Sequence, residues 1–230
     1  MATGSNIRTY FQGTWHTGDV PIMSAADHGA WLGTTVFDGA RLFEGGEMGI
    51  VPKPGATRFA ICLEEIPMPP AESSTTLTTT RVRRPVLADN VTNAKAGCLY
   101  PNNARMVAEA RAKGFANALV CDAVGNVAET ASANVFMVRD GEVFTPLANG
   151  SFLSGITHAR HIANLRANDV TVHETVLTLE DFHAADEVFL SGNMTKVTPV
   201  LAFDDTPATR LARCPGGRAL YWDWAHSEGP

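Results

Sequence analysis

The sequence predicts an α+β fold, and three observations support this prediction. Two helical stretches, residues 102–113 and 157–168, are bounded by asparagine or glycine, which commonly cap helices. Several runs rich in β-branched and aromatic residues read as strands, and Gly125-Asn126 and Asp140-Gly141 separate them with hairpin signals. These strands follow one another without regular alternation with helices, and that arrangement is typical of α+β proteins.

The N-terminal part is predicted to be built mainly from strands. In order, a strand, a turn, a second strand and a threonine-rich strand are predicted at residues 7–11, 15–19, 58–66 and 73–82. The proline-containing run 85–93 is predicted as a linker. We therefore expect an N-terminal domain over residues 1–84 and a C-terminal domain over residues 94–230.

The C-terminal part is predicted to mix helices with hairpins. Besides the two long helices, strands are predicted at residues 118–122, 127–130, 134–139, 142–145, 170–175 and 187–191, and shorter helices at 179–184 and 219–226. Asn102 or Asn103 is expected to cap the first helix, and Gly114 is expected to end it. The aromatic residues of the last helix, among them Trp222, are expected to dock it on the domain.

Composition excludes several classes of protein. The 230 residues are 45% hydrophobic and 18% charged, as expected of a soluble globular protein. A net charge of −6 argues against a nucleic-acid partner, and the basic cluster at residues 81–84 is interpreted as a solvated strand edge. No run of 18 apolar residues predicts a membrane segment, and no secretory signal is found.

Cysteine and histidine spacing predicts neither disulfides nor a metal site. The four cysteines lie far apart and form no Cys-x-x-Cys unit, so a reduced, cytoplasmic location is expected. His158 and His161 are three residues apart on a predicted helix, but no third ligand is suitably spaced.

Lys95 is the strongest candidate for covalent chemistry. It lies among the small residues Ala94, Ala96 and Gly97, with Tyr100 close behind, and a flat ring could approach this backbone closely. Burial in such a partly dry pocket favours the neutral amine, which can condense with an aldehyde. The alternative for Lys95 alone is an ordinary solvated surface charge.

Glu129 is the second candidate. It stands between the turn at Gly125 and an apolar strand, among alanines that cannot pair with a carboxylate. A carboxylate in this position needs a cationic or protonated partner, and a protonated pyridine nitrogen is one such partner. Taken alone, Glu129 would more readily be interpreted as an exposed charge at a strand end.

Two further segments offer backbone donors for an anion. Residues 152–160 contain a loop that ends at Gly155 and opens a helix at about Thr157, and helix starts attract phosphate. Residues 190–200 run from a strand into a small-residue turn at Gly192 and Asn193.

In this order, the four segments resemble those of the fold type IV pyridoxal-phosphate (PLP) enzymes, specifically the branched-chain amino-acid aminotransferase group. The stretches 21–24 and 38–45 resemble the first strand and glycine turn of that family, so the resemblance spans nearly the whole chain. It implies the two-domain architecture of class IV aminotransferases.

The resemblance also implies a role for each site residue. Lys95 is expected to be the Schiff-base lysine and proton shuttle, Tyr100 to donate to the phenolic oxygen of the cofactor, and Glu129 to pair with its ring nitrogen. The phosphate is expected to lie on Gly155, Ile156 and Thr157, with Gly192, Asn193 and Met194 completing its cradle. The expected substrate contacts are Trp31, Phe37, Asn193 and Met194.

The N-terminal domain departs from the family pattern. A long helical stretch with a central strand, which carries a phosphate-binding arginine, lies in the family between positions matching Gly46 and Gly49. No arginine of this chain matches it. Loss of that stretch would expose the core faces of the remaining strands, so we expect the segment to exist in the complete protein.

The function implied is PLP-dependent, ping-pong transamination between an amino acid, branched-chain or otherwise hydrophobic, and a 2-oxo acid. A homodimer or higher homo-oligomer is also implied. Three alternatives stay open: an amine or D-amino-acid transaminase or lyase of the same fold, a noncatalytic PLP-binding homologue, and an oligomeric structural protein.

Overall fold

A computed structural model describes most of the C-terminal part of the chain and little of the N-terminal part. The described residues are 8–11, 13–17, 21, 69–70, 72–194, 196–207 and 217–227. The chain divides into two compact units, Met1–Glu65 and Ile66–Pro230. The sequence analysis placed the boundary later, before Pro85; pairing within one sheet draws residues 75–79 into the second unit.

The described residues of the first unit include a β-hairpin. Strands β1 (Arg8–Phe11) and β2 (Thr14–Thr17) pair antiparallel, with Phe11 opposite Thr14. Gly13 has a φ of +81°, which a tight turn requires and glycine adopts freely. The predicted strand at 7–11 is confirmed over the described residues, but the turn predicted at 15–19 is wrong, because Trp15 to Thr17 belong to β2. The predicted strand 58–66 lies outside the described residues, as do Trp31 and Phe37.

The second unit is built on one mixed sheet. Its strands are β3 (Thr75–Thr79), β4 (Asn117–Cys121), β5 (Val127–Thr130), β6 (Asn134–Arg139), β7 (Glu142–Pro146), β8 (Val172–Thr175), β9 (Glu187–Gly192), β10 (Lys196–Phe203) and β11 (Thr206–Pro207). Their order is β5-β4-β3-β10-β9-β6-β7-β8, and β11 pairs with β10. The β3–β4, β3–β10 and β7–β8 pairs are parallel and the others antiparallel. The α+β prediction is confirmed.

Within the part of the chain that the structure describes, four helices and a short 3-10 turn accompany the sheet. They are the 3-10 turn Gly97–Leu99, α1 (Tyr100–Ala112), α2 (Ile156–Ala167), α3 (Leu179–His183) and α4 (Gly217–His226). All four helices were predicted, with ends displaced by one or two residues. Asn102 and Asn103 do not cap α1: its N-cap is Leu99, without a side-chain hydrogen bond.

Short turns fix the register of the strands that lead to the site. At the β6–β7 turn, Asp140 and Gly141 both have positive φ, at 53° and 81°, and Arg139 lies opposite Glu142. Positive φ at both turn positions matches the twist of a two-residue hairpin, which is why the Asp-Gly signal was reliable. This register places Asn134 at the start of β6.

The sheet is packed on both faces. Alternate residues of β4 enter different apolar clusters: Ala118 and Val120 pack with Met106 of α1, whereas Leu119 packs with the cluster that includes Phe182 of α3. Each face of β4 is therefore covered by its own apolar cluster, and β5, which pairs with β4, lies between the same two clusters.

A third cluster lies beneath α2. Phe136 and Phe189 stack with ring centroids 4.8 Å apart, and Ile162 and Leu165 of α2 pack against them. Because these side chains are almost fully buried, they fix α2 on strands β6 and β9. The start of α2 is thereby placed near the start of β6.

The last helix docks as predicted. Asn164 of α2 donates to the Leu220 carbonyl, the Arg160 guanidinium lies 4.0 Å from the centre of the Trp224 ring, and Tyr221 contacts His161. Within the ranges described, no helix is long and apolar enough to cross a membrane.

Candidate active site

Glu129 is a buried carboxylate held by two side chains. It lies in β5, is 8% exposed, and faces Val120 of β4. Its Oε1 lies 3.0 Å from Nη2 of Arg84, and its Oε2 accepts from Nδ2 of Asn134 at 3.3 Å. Burial raises the pKa of Glu129 to about 7, and the Arg84 guanidinium opposes this rise.

Arg84 supplies the cationic partner that Glu129 requires. Its guanidinium also donates to the Thr130 carbonyl at 2.9 Å and to Oδ1 of Asn103 at 2.7 Å. With 6% of its surface exposed, Arg84 corrects the interpretation of residues 81–84 as a solvated edge. Arg81, at the other end of the cluster, does fit that interpretation, because its side chain is 88% exposed.

The same guanidinium fixes the segment that carries Tyr100. Tyr100 is the first residue of α1 and is partly exposed, and Asn103 lies one turn further along that helix. Because Asn103 accepts from Arg84, the first turn of α1 is attached to β5 beside Glu129. This use of its side chain explains why Asn103 does not cap the helix.

Lys95 lies in a turn just before the 3-10 helix and is exposed. The sequence analysis expected a partly dry pocket, and the described residues do not provide one. The turn is nevertheless anchored, since the buried Thr92 hydroxyl donates to the Gly150 carbonyl at 2.6 Å. That bond joins the lysine segment to the loop that precedes α2.

The start of α2 has free backbone donors. Gly155 is the N-cap residue, and no side chain caps the helix. The helix begins at Ile156, one residue before the predicted start, and the Ile156 side chain is 92% exposed. Uncapped amides at Ile156 and Thr157 carry partial positive charge and can bind an anion such as phosphate.

The turn after β9 lies beside the start of β6. Ser191 pairs with Asn134, and a Cβ placed on Gly192 would lie 3.6 Å from Cβ of Ala133. Asn193 and Met194 follow in the turn; Oδ1 of Asn193 accepts from Nζ of Lys196, and Met194 is 56% exposed.

The structure thus gathers most of the predicted positions around the start of β6. Glu129 contacts Asn134 directly, Gly155 lies against Asn134, and Gly192 approaches Ala133. Tyr100 is joined to this group through Arg84. Lys95 is joined only through the segment that Thr92 anchors, and no side-chain hydrogen bond or ion pair of Lys95 is found with any described residue.

The sequence analysis missed Arg84, Asn134 and Thr92. A cationic partner for Glu129 could be predicted, because its carboxylate had no other partner nearby in the sequence. Nothing in the local sequence indicated that Arg84, and not another arginine of the cluster, is that partner. Asn134 and Thr92 have no local signal, since their partners are distant in the chain.

The donor set fits a cofactor that has a basic ring nitrogen at one end and a phosphate at the other. A carboxylate offers about four lone-pair positions. Arg84 and Asn134 use two of those of Glu129 in the described structure, so a ring N–H can still be accepted. No side chain caps the start of α2, so its first amides can accept an anion as ligand. Across the described ranges, no group of three or more His, Cys, Asp or Glu residues could hold a metal ion.

Comparisons with known proteins agree with this geometry. The family described as Amino-transferase class IV matches residues 40–203. The structure of an aminotransferase from Brucella abortus bound to the cofactor PLP is 45% identical, with a TM-score of 0.76, over 96% of this chain and 99% of that chain. The branched-chain aminotransferase of Thermoproteus uzoniensis, solved with norvaline, is 28% identical, with a TM-score of 0.66, over 71% of this chain and 56% of that one.

Matches to curated relatives are shorter. The branched-chain-amino-acid aminotransferase of Salmonella typhimurium is 39% identical over 113 residues, which are 49% of this chain and only 37% of that protein. A putative branched-chain-amino-acid aminotransferase of Methanocaldococcus jannaschii is 33% identical over 161 residues, 69% of this chain and 55% of that protein. The family expected from the motifs is confirmed, and the chain belongs to the class IV aminotransferases.

Proposed function

We propose that this chain binds PLP and transfers an amino group between an amino acid, branched-chain or otherwise hydrophobic, and a 2-oxo acid. One observation carries the proposal: the buried Glu129 carboxylate and the uncapped start of α2 lie on either side of the same residue, Asn134. The PLP bound to the Brucella abortus relative supports the choice of cofactor. The branched-chain relatives support the substrate class.

Glu129 would hold the proton of the cofactor ring nitrogen. Bound PLP supplies an aldehyde for an amine and a protonated ring that accepts the electron pair of a broken bond. The ring accepts electrons best when its nitrogen carries a proton, and a carboxylate beside it stabilises that proton. Arg84 supports this role because it opposes the effect of burial on the pKa of Glu129.

The phosphate would bind at the start of α2. The amides of Ile156 and Thr157 point out of an uncapped helix start, and the turn at Asn193 and Met194 would add donors. Tyr100 would donate its hydroxyl proton to the phenolic oxygen. With both ends held, the ring keeps one orientation while the chemistry proceeds.

Lys95 would be the nucleophile, and its Nζ would then take the proton from the substrate α-carbon. Lys95 is exposed among the described residues, and a second subunit would supply walls that exclude water from it. We therefore propose a homodimer, with Trp31 and Phe37 as substrate contacts. A cytoplasmic location fits the scattered cysteines.

The proposal is tested with the purified chain and PLP. The wild type should acquire visible Schiff-base absorbance and exchange amino groups when given amino donors of both hands with 2-oxoglutarate or pyruvate. Lys95→Ala should lose both the absorbance and the exchange. Lys113→Ala is the matched control: Lys113 donates to the Thr79 carbonyl at the end of α1, away from Glu129, so both properties should survive. Full turnover by Lys95→Ala would refute the assignment.

The exposure of Lys95 also favours a second candidate, a PLP-binding homologue without turnover. Retained cofactor colour with no exchange for any donor would support it. Exchange restricted to primary amines or D-amino acids would instead identify another activity of the same family.

A further inference from the structure

One buried amide side chain joins the two halves of the candidate site. Asn134 begins β6 and is 7% exposed. Its Nδ2 donates to Oε2 of Glu129 at 3.3 Å and to the Leu153 carbonyl at 3.1 Å. An amide nitrogen has two N–H groups, so both donors of Asn134 are used.

The oxygen of the same side chain faces Gly155. A Cβ built on Gly155 would overlap Oδ1 of Asn134. Gly155 has a φ of −69° and a ψ of 139°, which any residue adopts, so the backbone conformation does not require glycine there. The close approach of Asn134 does require it. Rotating the amide by half a turn would place its oxygen against two acceptors, so the orientation of Asn134 is fixed.

These contacts relate the distance between Glu129 and the start of α2 to the size of a ligand. A rigid aromatic cofactor has a fixed separation between its ring nitrogen and its phosphate, so its two protein partners must also keep a fixed separation. We propose that Asn134 is a positioning residue that sets the spacing between Glu129 and the phosphate-binding amides at the start of α2. This inference rests on the proposed function, because it presumes a cofactor held at both ends.

Asn134 acts through the residues it positions and supplies no group to the reaction. Its amide bonds orient Glu129 on one side and the loop at Leu153 on the other, and its oxygen sets how closely Gly155 approaches β6. Loss of these contacts should weaken cofactor binding more than it weakens the fold.

Asn117 offers a matched control. It is also a buried asparagine at a strand start in the same sheet, 8% exposed, but its side chain bonds to Ser132 and to the Ala118 amide. Replacing it removes a comparable buried hydrogen bond without touching Glu129 or Leu153.

The first measurement is PLP affinity, by equilibrium dialysis of the purified chain, with urea unfolding measured alongside. Asn134→Ala should weaken PLP binding by about tenfold or more, as expected for the loss of hydrogen bonds to a charged group. Asn117→Ala should stay within about twofold of the wild type. If Asn134→Ala does not fold, Asn134→Ser serves instead: its hydroxyl still offers one donor, but it is too short to bond to both Glu129 and the Leu153 carbonyl, so PLP binding should again weaken more than in Asn117→Ser.

The second measurement is a rescue that a merely structural role would not produce. Gly155→Ala should weaken PLP binding in the wild-type background, because its methyl group displaces Asn134. The same substitution should cost little further affinity in Asn134→Ala, where the opposing oxygen is gone. Independent, multiplying effects would overturn the proposal.

The outcomes distinguish a failure of the proposed function from a failure of the role of Asn134. A wild-type chain that binds no PLP would refute the proposed function and this inference with it. Normal PLP binding by both wild type and Asn134→Ala would overturn the role of Asn134 alone.

Discussion

The buried pair of Arg84 and Glu129 predicts a stability effect that depends on pH. In Arg84→Met, Glu129 loses its cation, and the Thr130 carbonyl and Asn103 Oδ1 lose a donor. Removing one partner of a buried pair costs about 3–5 kcal/mol when the other stays charged. In the variant, the unpaired carboxyl of Glu129 takes up a proton in part and avoids some of that cost, so we expect a loss of about 2–4 kcal/mol in the unfolding free energy at about pH 8.

The loss should shrink in acid. Burial raises the pKa of Glu129 from 4.5 to about 7, so its contribution to stability is present below 4.5 and is lost as pH rises through 7. Without Arg84 the pKa of Glu129 is higher still. The variant therefore continues to lose stability as the pH rises above 7, where the stability of the wild type no longer changes through Glu129. At about pH 5, Glu129 is protonated in both proteins, and only the lost hydrogen bonds remain, about 1–3 kcal/mol.

Urea unfolding of the cofactor-free chain between about pH 5 and pH 8 tests this expectation. The control is Arg139→Met, because the Arg139–Asp181 pair has a similar distance, 3.1 Å, but its side chains are 39% and 28% exposed. Solvent screens such a pair, so at most about 1 kcal/mol is expected. The double variant Arg84→Met with Glu129→Gln should recover part of the loss. Equal losses in Arg84→Met and Arg139→Met at pH 8 would refute the reasoning.

Two further predictions concern the core beneath α2. Burial lowers the pKa of His161 from 6.5 to about 4, with His158 and Lys196 adding to the effect, so its stabilising contribution is present above 6.5 and lost as pH falls through 4. His161→Leu should remove about 2 kcal/mol of the stability difference between about pH 8 and about pH 5, seen as a smaller difference between the urea midpoints at those two pH values, and an unchanged difference would contradict it. Phe189→Ala should cost about 3–5 kcal/mol because Phe189 is fully buried, whereas Val124→Ala, at an 83% exposed site, should stay within about 0.5 kcal/mol in the same assay.

The sequence was most informative where structure is local. The turn of the β6–β7 hairpin was predicted to the residue because Asp140 and Gly141 meet a backbone requirement that few residues satisfy. Helix α1 was predicted from its length and from Gly114, which has a φ of +87° just after the helix. Each of these signals depends only on neighbours in the chain.

Prediction failed where a distant contact or a local exception decided the structure. Strand β10 was not predicted; it contains Pro199, a residue that usually interrupts a central strand. The N-terminal turn was placed at residues 15–19, although Gly13 makes it, because the sequence alone did not show which of two glycine-containing stretches turns back. The cap of α1 was assigned to Asn102 or Asn103, but neither caps the helix, and the side chain of Asn103 instead binds Arg84.

The same distinction explains what was found at the candidate site. Residues expected to touch the cofactor, such as Glu129 and Gly155, stand in segments with local signatures, because glycine turns and helix starts are short-range features. The residues that hold them act across the fold: Arg84 reaches a carbonyl 46 positions away. A carboxylate among alanines predicted a cationic partner, and the protein itself supplies one in Arg84. That pairing leaves lone pairs of Glu129 unused, so the carboxylate can still accept a further N–H. A site of this kind is recognised from its contact residues, whereas the spacing between them is set by side chains that only the three-dimensional structure identifies.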